Sequence, residues 1–405
     1  MCTFGVQIKI EILKTVIIKP AKDKSIVRKH PWVFSGAIKA TEGSPREGDL
    51  VEVRANKGRF LGIGHYAEGS IAVRMLTFDE NEALDDLYLN RITSAYNLRF
   101  SLGLADNKET NIYRLVHAEG DNLPGLIIDH YAGNLVVQCH SLGMFNEIDK
   151  IKKALLDVMG DKVKSIYMKS EATLPKNNTI YTEDQYLHGE AEMPVIALEY
   201  GNKFNINWIT GQKTGFFIDQ RENRALIGKY SAGKKMLNTF CYSGGFSIYA
   251  LDKGAEVVHS LDSSAKAIEL VDENVKLGGF EGKRHASFTE DTMDYIKDLK
   301  EDYDIIILDP PAFAKHRKAK HNAIQGYKRL NAHAMRQIKS GGIIMTFSCS
   351  QVIDKTLFTN TIIAAAIAAE RKVRIIEQLH QPADHPINAY HPEGEYLKGL
   401  VVHVE

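Results

Sequence analysis

A cysteine stands where an apolar run ends in the C-terminal half of this sequence. Residues Ile343–Phe347 predict a buried strand, and Ser348-Cys349-Ser350 follows it directly. Cysteine is the strongest protein nucleophile near neutral pH, and the tip of a central strand suits attack on a ligand better than core packing. The pattern therefore predicts a nucleophilic Cys349. Packing or a chain-end position accounts for the remaining cysteines: Cys2, Cys139 and Cys241.

An aspartate and two prolines follow another predicted strand, Tyr303–Leu308. Asp309-Pro310-Pro311 forms a rigid turn with few hydrogen-bond donors, because proline has no N–H. Its carboxylate and carbonyl oxygens are acceptors, and aspartate is the acceptor expected for an amino group such as that of cytosine. The turn predicts a binding surface for an amino group. A purely structural Pro-Pro turn is the alternative.

Glycines and acids at earlier strand ends form a third candidate group. The strand Met236–Phe240 runs into Cys241-Tyr242-Ser243-Gly244-Gly245, where glycine lets the backbone approach a ligand closely. Asp262 ends the next strand, at the distance of roughly 20 residues expected of an acid that binds ribose hydroxyls. Asp291 follows Ala286-Ser287-Phe288 and is placed to approach an adenine amino group. The group predicts a site for a nucleoside cofactor.

Two other nucleotide sites fit the sequence less well. A nicotinamide site is disfavoured because GxGxxG is absent and Ser243-Gly244-Gly245-Phe246 stands in its place. A phosphate-binding loop at Gly211-Gln212-Lys213-Thr214 lacks the Gly-Lys pair and the upstream glycine of that motif. A structural strand–helix turn with a solvated acid remains the plain alternative for the glycine turn.

Basic residues cluster in two places. One group follows the Asp-Pro-Pro turn and borders the predicted cleft: Lys315, Arg317, Lys318 and Lys328. The other lies near the N-terminus beside Trp32 and Phe34: Lys24, Arg28 and Lys29. Charge runs are usually solvated faces, but beside a cleft or among aromatic side chains they suit RNA phosphates and bases. We expect both groups to contact RNA.

The elements that must position these residues fall into three segments. The pattern of residues 1–80 predicts β structure with four strands: Thr15–Lys19, Leu50–Arg54, Arg59–His65 and Ser70–Leu76. Residues 81–190 combine helices at 83–103 and Asn146–Met159 with four strands: Asn111–Ala118, Gly125–His130, Leu135–His140 and Ser165–Lys169. Residues 191–405 begin with a strand at Ala191–Tyr200, and further strands follow at Met236–Phe240, Glu256–Leu261, Tyr303–Leu308 and Ile343–Phe347.

From about residue 235 strands and helices alternate, which is the pattern of a parallel sheet covered on both faces. Ligands of such sheets bind at the carboxyl ends of the strands, near the switch point. The candidate residues fall at these ends. The predicted fold is α/β: a Rossmann-like domain at 191–405, an N-terminal β-rich domain at 1–80 and a small α+β central domain at 81–190.

Composition excludes several classes of protein. The 405 residues are too many for one ordinary core, and 44% hydrophobic and 25% charged residues are typical of a soluble globular protein. Lys+Arg and Asp+Glu both number 51, so nucleic-acid binding must rest on local patches. The four cysteines form no CxxC, so we expect no metal site and no disulfide framework. Neither a signal peptide nor an apolar run of about 20 residues is present, so we expect a cytoplasmic protein outside the membrane.

Several motifs together give the sequence a likeness to a known family. They are residues 30–36 (HPWVFSG), 114–126 (RLVHAEGDNLPGL), 210–221 (TGQKTGFFIDQR) and the Asp-Pro-Pro and Ser-Cys-Ser strand ends. Over nearly its whole length the chain resembles the ribosomal RNA large-subunit methyltransferase I family, bacterial enzymes that form 5-methylcytosine. The resemblance implies a class I methyltransferase domain, an RNA-binding PUA domain, S-adenosyl-L-methionine as cofactor, 23S ribosomal RNA as partner and commonly a homodimer.

The resemblance also implies roles for individual residues. Cys349 is the nucleophile and Asp309 a second catalytic residue. Cofactor contacts are expected from one set: Gln220, Asn238, Phe240, Tyr242, Ser243, Gly244, Asp262, Ser263, Asp291, Asp309 and Pro310. Many other RNA 5-methylcytosine enzymes place a second cysteine after the proline of the fourth strand end, where this sequence has Ala312 or Phe313. The base that removes the proton from carbon 5 is therefore open among water, Asp309 and Lys315.

Two other functions fit parts of the pattern. A related enzyme that methylates another base, such as guanine at N7, needs no thiol because that nitrogen is already nucleophilic. A ribosome-assembly factor with a vestigial methyltransferase fold would bind RNA without catalysis. The intact cofactor acids and the position of Cys349 argue against the second alternative.

Overall fold

The computed structural model describes residues 13–175, 182–282, 284–314 and 316–405 of the chain. Within these residues the strands form four sheets, of six, five, two and seven strands. No helix in this part of the chain combines the length and apolar character needed to cross a membrane.

The N-terminal segment is a small β domain with its own core. Its elements are β1 (Lys14–Ile18), α1 (Lys24–Val27), β2 (Trp32–Phe34), β3 (Ile38–Glu42), β4 (Leu50–Ala55), β5 (Phe60–Tyr66) and β6 (Ile71–Thr77). The sheet order is β2-β6-β5-β4-β1-β3. Side chains alternate between inside and outside along β4, where Val51 and Val53 are buried. They pack with Val16, Ile18 and Val73.

The central segment is a five-stranded sheet with helices. Its elements are α2 (Leu87–Ser101), β7 (Ile112–His117), β8 (Leu126–Tyr131), β9 (Asn134–Cys139), α3 (Leu142–Asn146), α4 (Ile148–Met159), β10 (Ser165–Met168) and β11 (Gln185–His188), in the sheet order β11-β10-β9-β8-β7. Every residue of β8 and β9 is buried. Helices α2 and α4 cover one face, and the C-terminal segment covers the other through residues such as Trp208 and Phe204.

The C-terminal segment begins with a hairpin and continues as a seven-stranded α/β unit. Its elements are β12 (Val195–Glu199), β13 (Asn202–Ile206), α5 (Arg221–Ser231), β14 (Lys235–Thr239), α6 (Gly245–Asp252), β15 (Val257–Asp262), α7 (Ala265–Leu277), β16 (His285–Thr289), α8 (Thr292–Tyr295), β17 (Ile305–Leu308), α9 (Lys320–Gln337), β18 (Gly342–Ser348), α10 (Lys355–Ala369), β19 (Val373–His380) and β20 (Lys398–Val404). Four-residue β17 is entirely buried, as expected for a central strand of a parallel sheet.

The topology of this sheet brings four strand ends to one edge. The order is β16-β15-β14-β17-β18-β20-β19, with β16 to β18 parallel and β20 antiparallel to both of its neighbours. The chain leaves β14 toward β15 and β16 and later returns to β17 on the other side. The switch point therefore lies between β14 and β17, where a ligand is expected.

Most predicted elements match the observed ones closely. All predicted strands except one lie within two residues of the observed bounds, and the exception is Ala191–Tyr200, which is strand only from Val195. Pro194 cannot donate to a strand ladder, which shortens that strand. Seven strands were absent from the prediction: β2, β3, β11, β13, β16, β19 and β20. Among them β3, β11 and β19 are edge strands with weak alternation of burial.

Candidate active site

Cys349 and Asp309 extend from neighbouring parallel strands. Leu308, the last residue of β17, pairs with Thr346 of β18, so the two chain segments leave the sheet side by side. Asp309 follows β17 directly and Cys349 follows β18 directly. Both residues are partly exposed, whereas the strands behind them are buried. The sheet thus brings the thiol-bearing and carboxyl-bearing residues to the same edge, where the sequence analysis expects a ligand cleft.

The two serines beside Cys349 fix the end of β18. The Ser348 hydroxyl donates to the Tyr327 hydroxyl of α9 at 2.9 Å. The Ser350 hydroxyl donates to the carbonyl oxygen of Ala314 at 2.7 Å, which ties this segment to the turn after β17. The Ser-Cys-Ser motif therefore places the thiol between two serines whose hydrogen bonds restrict the backbone of this segment.

The electrostatic surroundings of the thiol oppose its ionisation. Burial raises the pKa of Cys349 to about 11, and the nearby carboxylates of Asp309 and Asp219 act in the same direction. The ammonium group of Lys398 opposes them. A thiol in this state is largely protonated at neutral pH, so its activation needs a proton acceptor or a change in charge around it.

The surroundings of Asp309 raise the pKa of its carboxyl group toward neutral pH. Part of its surface is open to the cleft, but the carboxyl group is crowded by protein, and burial together with the charge of Asp219 raises its pKa to about 7. Gln220 Nε2 donates to Asp309 Oδ2 at 3.0 Å, and Asn223 Nδ2 donates to the Gln220 side-chain oxygen at 2.6 Å. The relay fixes the amide orientation of Gln220, so that its N–H faces Asp309.

Asp219 is a site residue that the sequence analysis did not single out. Tyr396 donates its hydroxyl to Asp219 Oδ2 at 2.8 Å, whereas the buried Oδ1 has no hydrogen-bond partner among the described residues. Its charge raises the pKa values of both Asp309 and Cys349. An unpaired buried acceptor is costly, and such groups concentrate at functional sites. Its place directly before Gln220 in the conspicuous TGQKTGFFIDQR segment was the available signal.

The glycine turn after β14 has a strained backbone. Phe240 (φ 53°) and Tyr242 (φ 45°) adopt left-handed conformations that are unusual for bulky residues, and Gly244 (φ 73°) follows them. A Cβ on Gly244 would lie 3.1 Å from Val271, which leaves little room for a side chain. Such strain clusters at ligand sites, so the turn has the character of a cofactor cradle.

Asp262 lies beside this turn. Its Oδ2 accepts the backbone N–H of Tyr242 at 3.1 Å and its Oδ1 accepts that of Ser264 at 3.0 Å. Each carboxylate oxygen can accept a further hydrogen bond. The carboxylate is therefore fixed in orientation and still able to bind a pair of hydroxyl groups.

The remaining predicted cofactor residues differ in their surroundings. Asn238 is buried and donates to the Ser247 hydroxyl at 2.9 Å, so its side-chain amide serves packing between β14 and α6. The carbonyl of Ser243, which is also buried, accepts from Asn274 at 2.9 Å. Asp291 is exposed and caps α8 through the N–H of Asp294 at 3.1 Å. Pro310 is buried in the cleft wall, and Ser263 is exposed beside Asp262. Their cofactor contacts stay predictions.

The predicted RNA-contacting residues lie on the surface. Lys24, Arg28 and Lys29 are exposed on and after α1, Lys318 is exposed before α9, and Lys328 is partly exposed on α9. Lys315 lies outside the described residues, and so does the side chain of Arg317, whose backbone begins a short 3-10 helix.

Of the two aromatic residues beside the N-terminal basic group, only Phe34 is exposed. Trp32 instead donates its indole N–H to Glu119 of the central segment at 2.8 Å. The Trp32 ring also packs edge-on against His391, with ring centroids 4.3 Å apart. Trp32 therefore joins segments of the protein.

One group of possible metal ligands lies away from the cleft. Ligand atoms of His30, His391 and Glu393 lie within 4.8 Å of one another. The rings of His30 and His391 pack together and against Trp32. We interpret the group as a ring contact that fastens the N-terminal sheet to the C-terminal segment.

Comparison with known proteins agrees with this geometry. Residues 16–78 match a PUA-like domain, and residues 113–395 match the family of S-adenosylmethionine-dependent methyltransferases. The chain is 39% identical over 396 residues to ribosomal RNA large subunit methyltransferase I of Shewanella denitrificans, and 39% identical over 394 residues to that of Alteromonas mediterranea. Each alignment covers 96% of this chain and 98% of the relative.

The chain belongs to the ribosomal RNA large-subunit methyltransferase I family. Its fold agrees with solved structures. A Streptococcus mutans protein assigned to the S-adenosylmethionine-dependent methyltransferases has a TM-score of 0.82 at 21% identity, over 96% of this chain and 100% of its own. SMU.776, a methyltransferase-fold protein in complex with SAH, has a TM-score of 0.83 at 22% identity over the same shares. The predicted class I fold with an N-terminal PUA-like domain is confirmed.

Membership in this methyltransferase family makes S-adenosyl-L-methionine the cofactor. The cleft fits it on its own chemistry: Asp262 offers acceptors for ribose hydroxyls, and the strained turn from Phe240 to Gly244 brings the backbone close to a ligand. These residues would hold the nucleoside, and Gln220 and Asp309 would line the end where the methyl group is transferred.

Proposed function

We propose that this chain transfers the methyl group of S-adenosylmethionine to carbon 5 of a cytosine in large-subunit (23S) ribosomal RNA, with Cys349 as the nucleophile. One observation carries the proposal: Asp309 and Cys349 directly follow the neighbouring parallel strands β17 and β18, and β14, which leads into the glycine turn, is the next strand. Relatives named ribosomal RNA large subunit methyltransferase I support ribosomal RNA as the substrate.

The chemistry explains why a thiol is needed. Carbon 5 of cytosine is a poor nucleophile because its electrons belong to an aromatic ring. When the Cys349 thiolate forms a C–S bond at carbon 6, the electrons of the 5,6 double bond become available at carbon 5. Bound S-adenosylmethionine supplies the electrophilic methyl group that carbon 5 then takes up. Loss of the carbon 5 proton to a base and departure of the thiolate restore the ring.

Asp309 is suited to the edge of cytosine that carries N3 and the exocyclic amine. A carboxyl group with a pKa of about 7 is present in both protonation states at neutral pH. Its protonated form donates to N3 while its other oxygen accepts from the amine. Transfer of the proton to N3 neutralises the negative charge that thiolate addition places on the ring. Gln220, bound to Oδ2, orients the carboxyl group for this pairing.

RNA must deliver an unstacked base to this cleft, because carbon 6 is shielded within a helix. We assign RNA binding to residues 1–80, where Lys24, Arg28 and Lys29 offer phosphate contacts, and catalysis to residues 191–405. Lys318 and Lys328, which follow the Asp-Pro-Pro turn in the chain, offer further phosphate contacts. Residues 81–190 connect the two. The homodimer and the cytoplasmic location stay predictions.

A labelled-methyl transfer assay on unmodified large-subunit RNA tests the proposal. Cys349→Ala is expected to bind the cofactor with unchanged affinity and to lose transfer. Cys349→Ser is also expected to be inactive, because a hydroxyl is a much poorer nucleophile at neutral pH. Cys139→Ala, at a cysteine buried in the central sheet, is the matched control and is expected to retain transfer.

Two further readouts separate the alternatives. RNA carrying 5-fluorocytosine is expected to form a stable adduct with the wild type and none with Cys349→Ala, because fluorine cannot leave carbon 5 as a proton does. Mass spectrometry of digested RNA identifies the methylated base. Transfer that survives in Cys349→Ala would indicate another base, such as guanine at N7. Absence of transfer by the wild type would favour a ribosome-assembly factor.

A further inference from the structure

A lysine lies buried behind the candidate nucleophile. Lys398 begins β20, the strand inserted antiparallel beside β18, and it pairs there with Ser348. Only 6% of its surface is exposed, and the next six residues of its strand are mainly apolar. Removing an ammonium group from water is costly unless something compensates the charge. Its burial therefore calls for an explanation beyond packing.

The contacts of Lys398 converge on the segment that carries Cys349. Its Nζ donates to the carbonyl oxygen of Ser350 at 2.7 Å. Among the described residues it forms no ion pair with a carboxylate within 4.0 Å, and Glu395 and Asp354 act on it only from a longer distance. Cys349 directly precedes Ser350, whose carbonyl binds Lys398, and burial lowers the pKa of Lys398 whereas negative charge at Cys349 raises it. The compensating negative charge is therefore expected at Cys349.

Charged and titratable groups face Cys349 from four elements. Asp309 follows β17, Asp219 lies in the 3-10 helix at residues 218–220, Tyr327 lies on α9 and Lys398 lies on β20. The two carboxylates raise the pKa of the thiol, and Lys398 lowers it. The Tyr327 hydroxyl is neutral at physiological pH, since burial raises its pKa to about 12. Lys398 is thus the positive charge within this group.

Anchoring alone does not explain an ammonium group here. The hydroxyls of Ser348 and Ser350 already fix the segment to α9 and to the turn after β17. A neutral donor would satisfy the Ser350 carbonyl equally well, at a lower cost of desolvation. Hydrogen bonding to the Ser350 carbonyl therefore does not account for the positive charge of Lys398.

We propose that Lys398 is a positioning residue that holds the Ser350 carbonyl and supplies the positive charge that stabilises the Cys349 thiolate. The inference rests on the proposed function, in which that thiolate attacks cytosine. As the S–H bond of Cys349 breaks and its proton passes to solvent, the thiolate forms and Lys398 becomes half of a buried ion pair. When the C–S bond to carbon 6 forms, the negative charge moves to the ring and Lys398 remains protonated.

The test follows the alkylation of Cys349 by iodoacetamide as a function of pH, quantified on its peptide by mass spectrometry. Lys398→Gln keeps a donor for the Ser350 carbonyl and removes the charge. We expect the pH dependence of its alkylation to shift upward by about one pH unit, which makes the reaction roughly tenfold slower at pH 8. The reason is that a neighbouring opposite charge shifts a pKa by about 1–3 units. Lys398→Arg retains the charge and is expected to stay within about threefold of the wild type.

Lys169→Met is the matched control, since Lys169 also donates to backbone carbonyls, those of Trp208 and Gly211, but lies in the central segment. Its alkylation profile is expected to match the wild type. If Lys398→Gln does not fold, Lys398→Met carries the same expectation, and failure of both variants to fold while Lys398→Arg folds with a shifted profile would overturn the proposal. An unchanged profile in a folded, uncharged variant would also overturn it.

Methyl transfer to RNA separates this inference from the proposed function. Lys398→Gln is expected to lower kcat more than KM and to recover part of its rate as the pH rises, a pattern that a merely structural defect does not produce. If the alkylation profile shifts but Cys349→Ala still methylates RNA, the charge pairing stands and the nucleophile assignment fails. If Cys349→Ala is inactive and the profile does not shift, the nucleophile stands and the role of Lys398 fails.

Discussion

Asp309 in the cleft and Asp384 at the junction of the central and C-terminal segments are both enclosed by protein but differ in their partners. Arg221 donates to both oxygens of Asp384 at 2.9 Å, and the N–H of Arg114 donates to Oδ2 at 2.9 Å. With His385 and Arg221 beside it, the pKa of Asp384 is held well below its ordinary value. Asp309 has an amide partner and a carboxylate neighbour, and its pKa rises to about 7.

The junction uses its charges for structure. Arg99, fully buried on α2, pairs with Asp121 and also donates to the carbonyl oxygen of Asp384 at 2.7 Å. The central and C-terminal segments are thereby joined by a network in which each charge has an opposite partner. The cleft instead leaves acceptor capacity free, which is what a site must do to bind a ligand. Charges with opposite partners occur at the structural junction, whereas carboxyl groups without a counter-charge occur at the candidate active site.

The difference between Asp309 and Asp384 is tested most directly by replacing each of them with Asn. At Asp309, Asn removes the group that exchanges a proton, and we expect methyl transfer to fall roughly 10²–10⁴-fold, the usual contribution of such a group. The rate is measured at saturating cofactor and RNA. Asp298→Asn, at a highly exposed acid, is the control and is expected to keep the wild-type rate. Near-normal transfer by Asp309→Asn would remove Asp309 from the mechanism.

The same variant is expected to become more stable relative to the wild type as the pH rises, because the wild type loses stability. The unfolded chain ionises this carboxyl near pH 4 and the folded chain near pH 7, so between these values unfolding releases a proton and the wild type loses stability. Asn does not ionise. The variant is expected to exceed the wild type by about 0.5–2 kcal/mol at pH 8 and by less at pH 5, as measured by thermal unfolding. A variant less stable than the wild type at pH 8 would contradict this.

At Asp384 the expected effect has the opposite sign. Asn leaves Arg221 buried without its counter-charge, and removing one partner of a buried pair costs about 3–5 kcal/mol of the free energy of unfolding. Because the pKa of Asp384 is depressed, this loss is fully present at pH 7 and shrinks as the wild type is acidified below about pH 4. Denaturant unfolding at two pH values measures both.

Asp23→Asn provides the exposed control for the junction. Asp23 pairs with Arg59 at 2.8 Å, but Arg59 is mostly solvent-exposed, so we expect a loss of at most about 1 kcal/mol. Equal losses at Asp23 and Asp384 would mean that burial does not distinguish the two pairs.

Asp262 lies between these extremes, since its carboxylate has backbone partners and still retains capacity for a ligand. Both of its oxygens accept backbone N–H groups, and both retain capacity for a ligand. Asp262→Ala is expected to weaken binding of S-adenosylhomocysteine by about 1–3 kcal/mol, as measured by calorimetry. Asp252→Ala, at the exposed end of α6, should leave the affinity unchanged. An unaltered affinity in Asp262→Ala would refute its role at the ribose.

The sequence by itself determined the strand ends and what they carry. Periodicity and turn residues located four strands of the seven-stranded sheet, β14, β15, β17 and β18, and the carboxyl ends of parallel strands must meet at one edge. For that reason Asp262, Asp309 and Cys349 could be grouped without coordinates. Each of these residues directly follows or ends its own strand, so its position at a strand end can be predicted from the neighbouring sequence.

The tertiary structure alone decided which distant residues complete the site and how they titrate. Lys398 reaches the Ser350 carbonyl beside Cys349 because β20 inserts antiparallel beside β18, and the charge of Asp219 acts on Asp309. Trp32, expected at the RNA surface, instead joins domains. A pKa depends on burial and on every charge within a few ångströms, and those distances are set by packing between segments far apart in the chain.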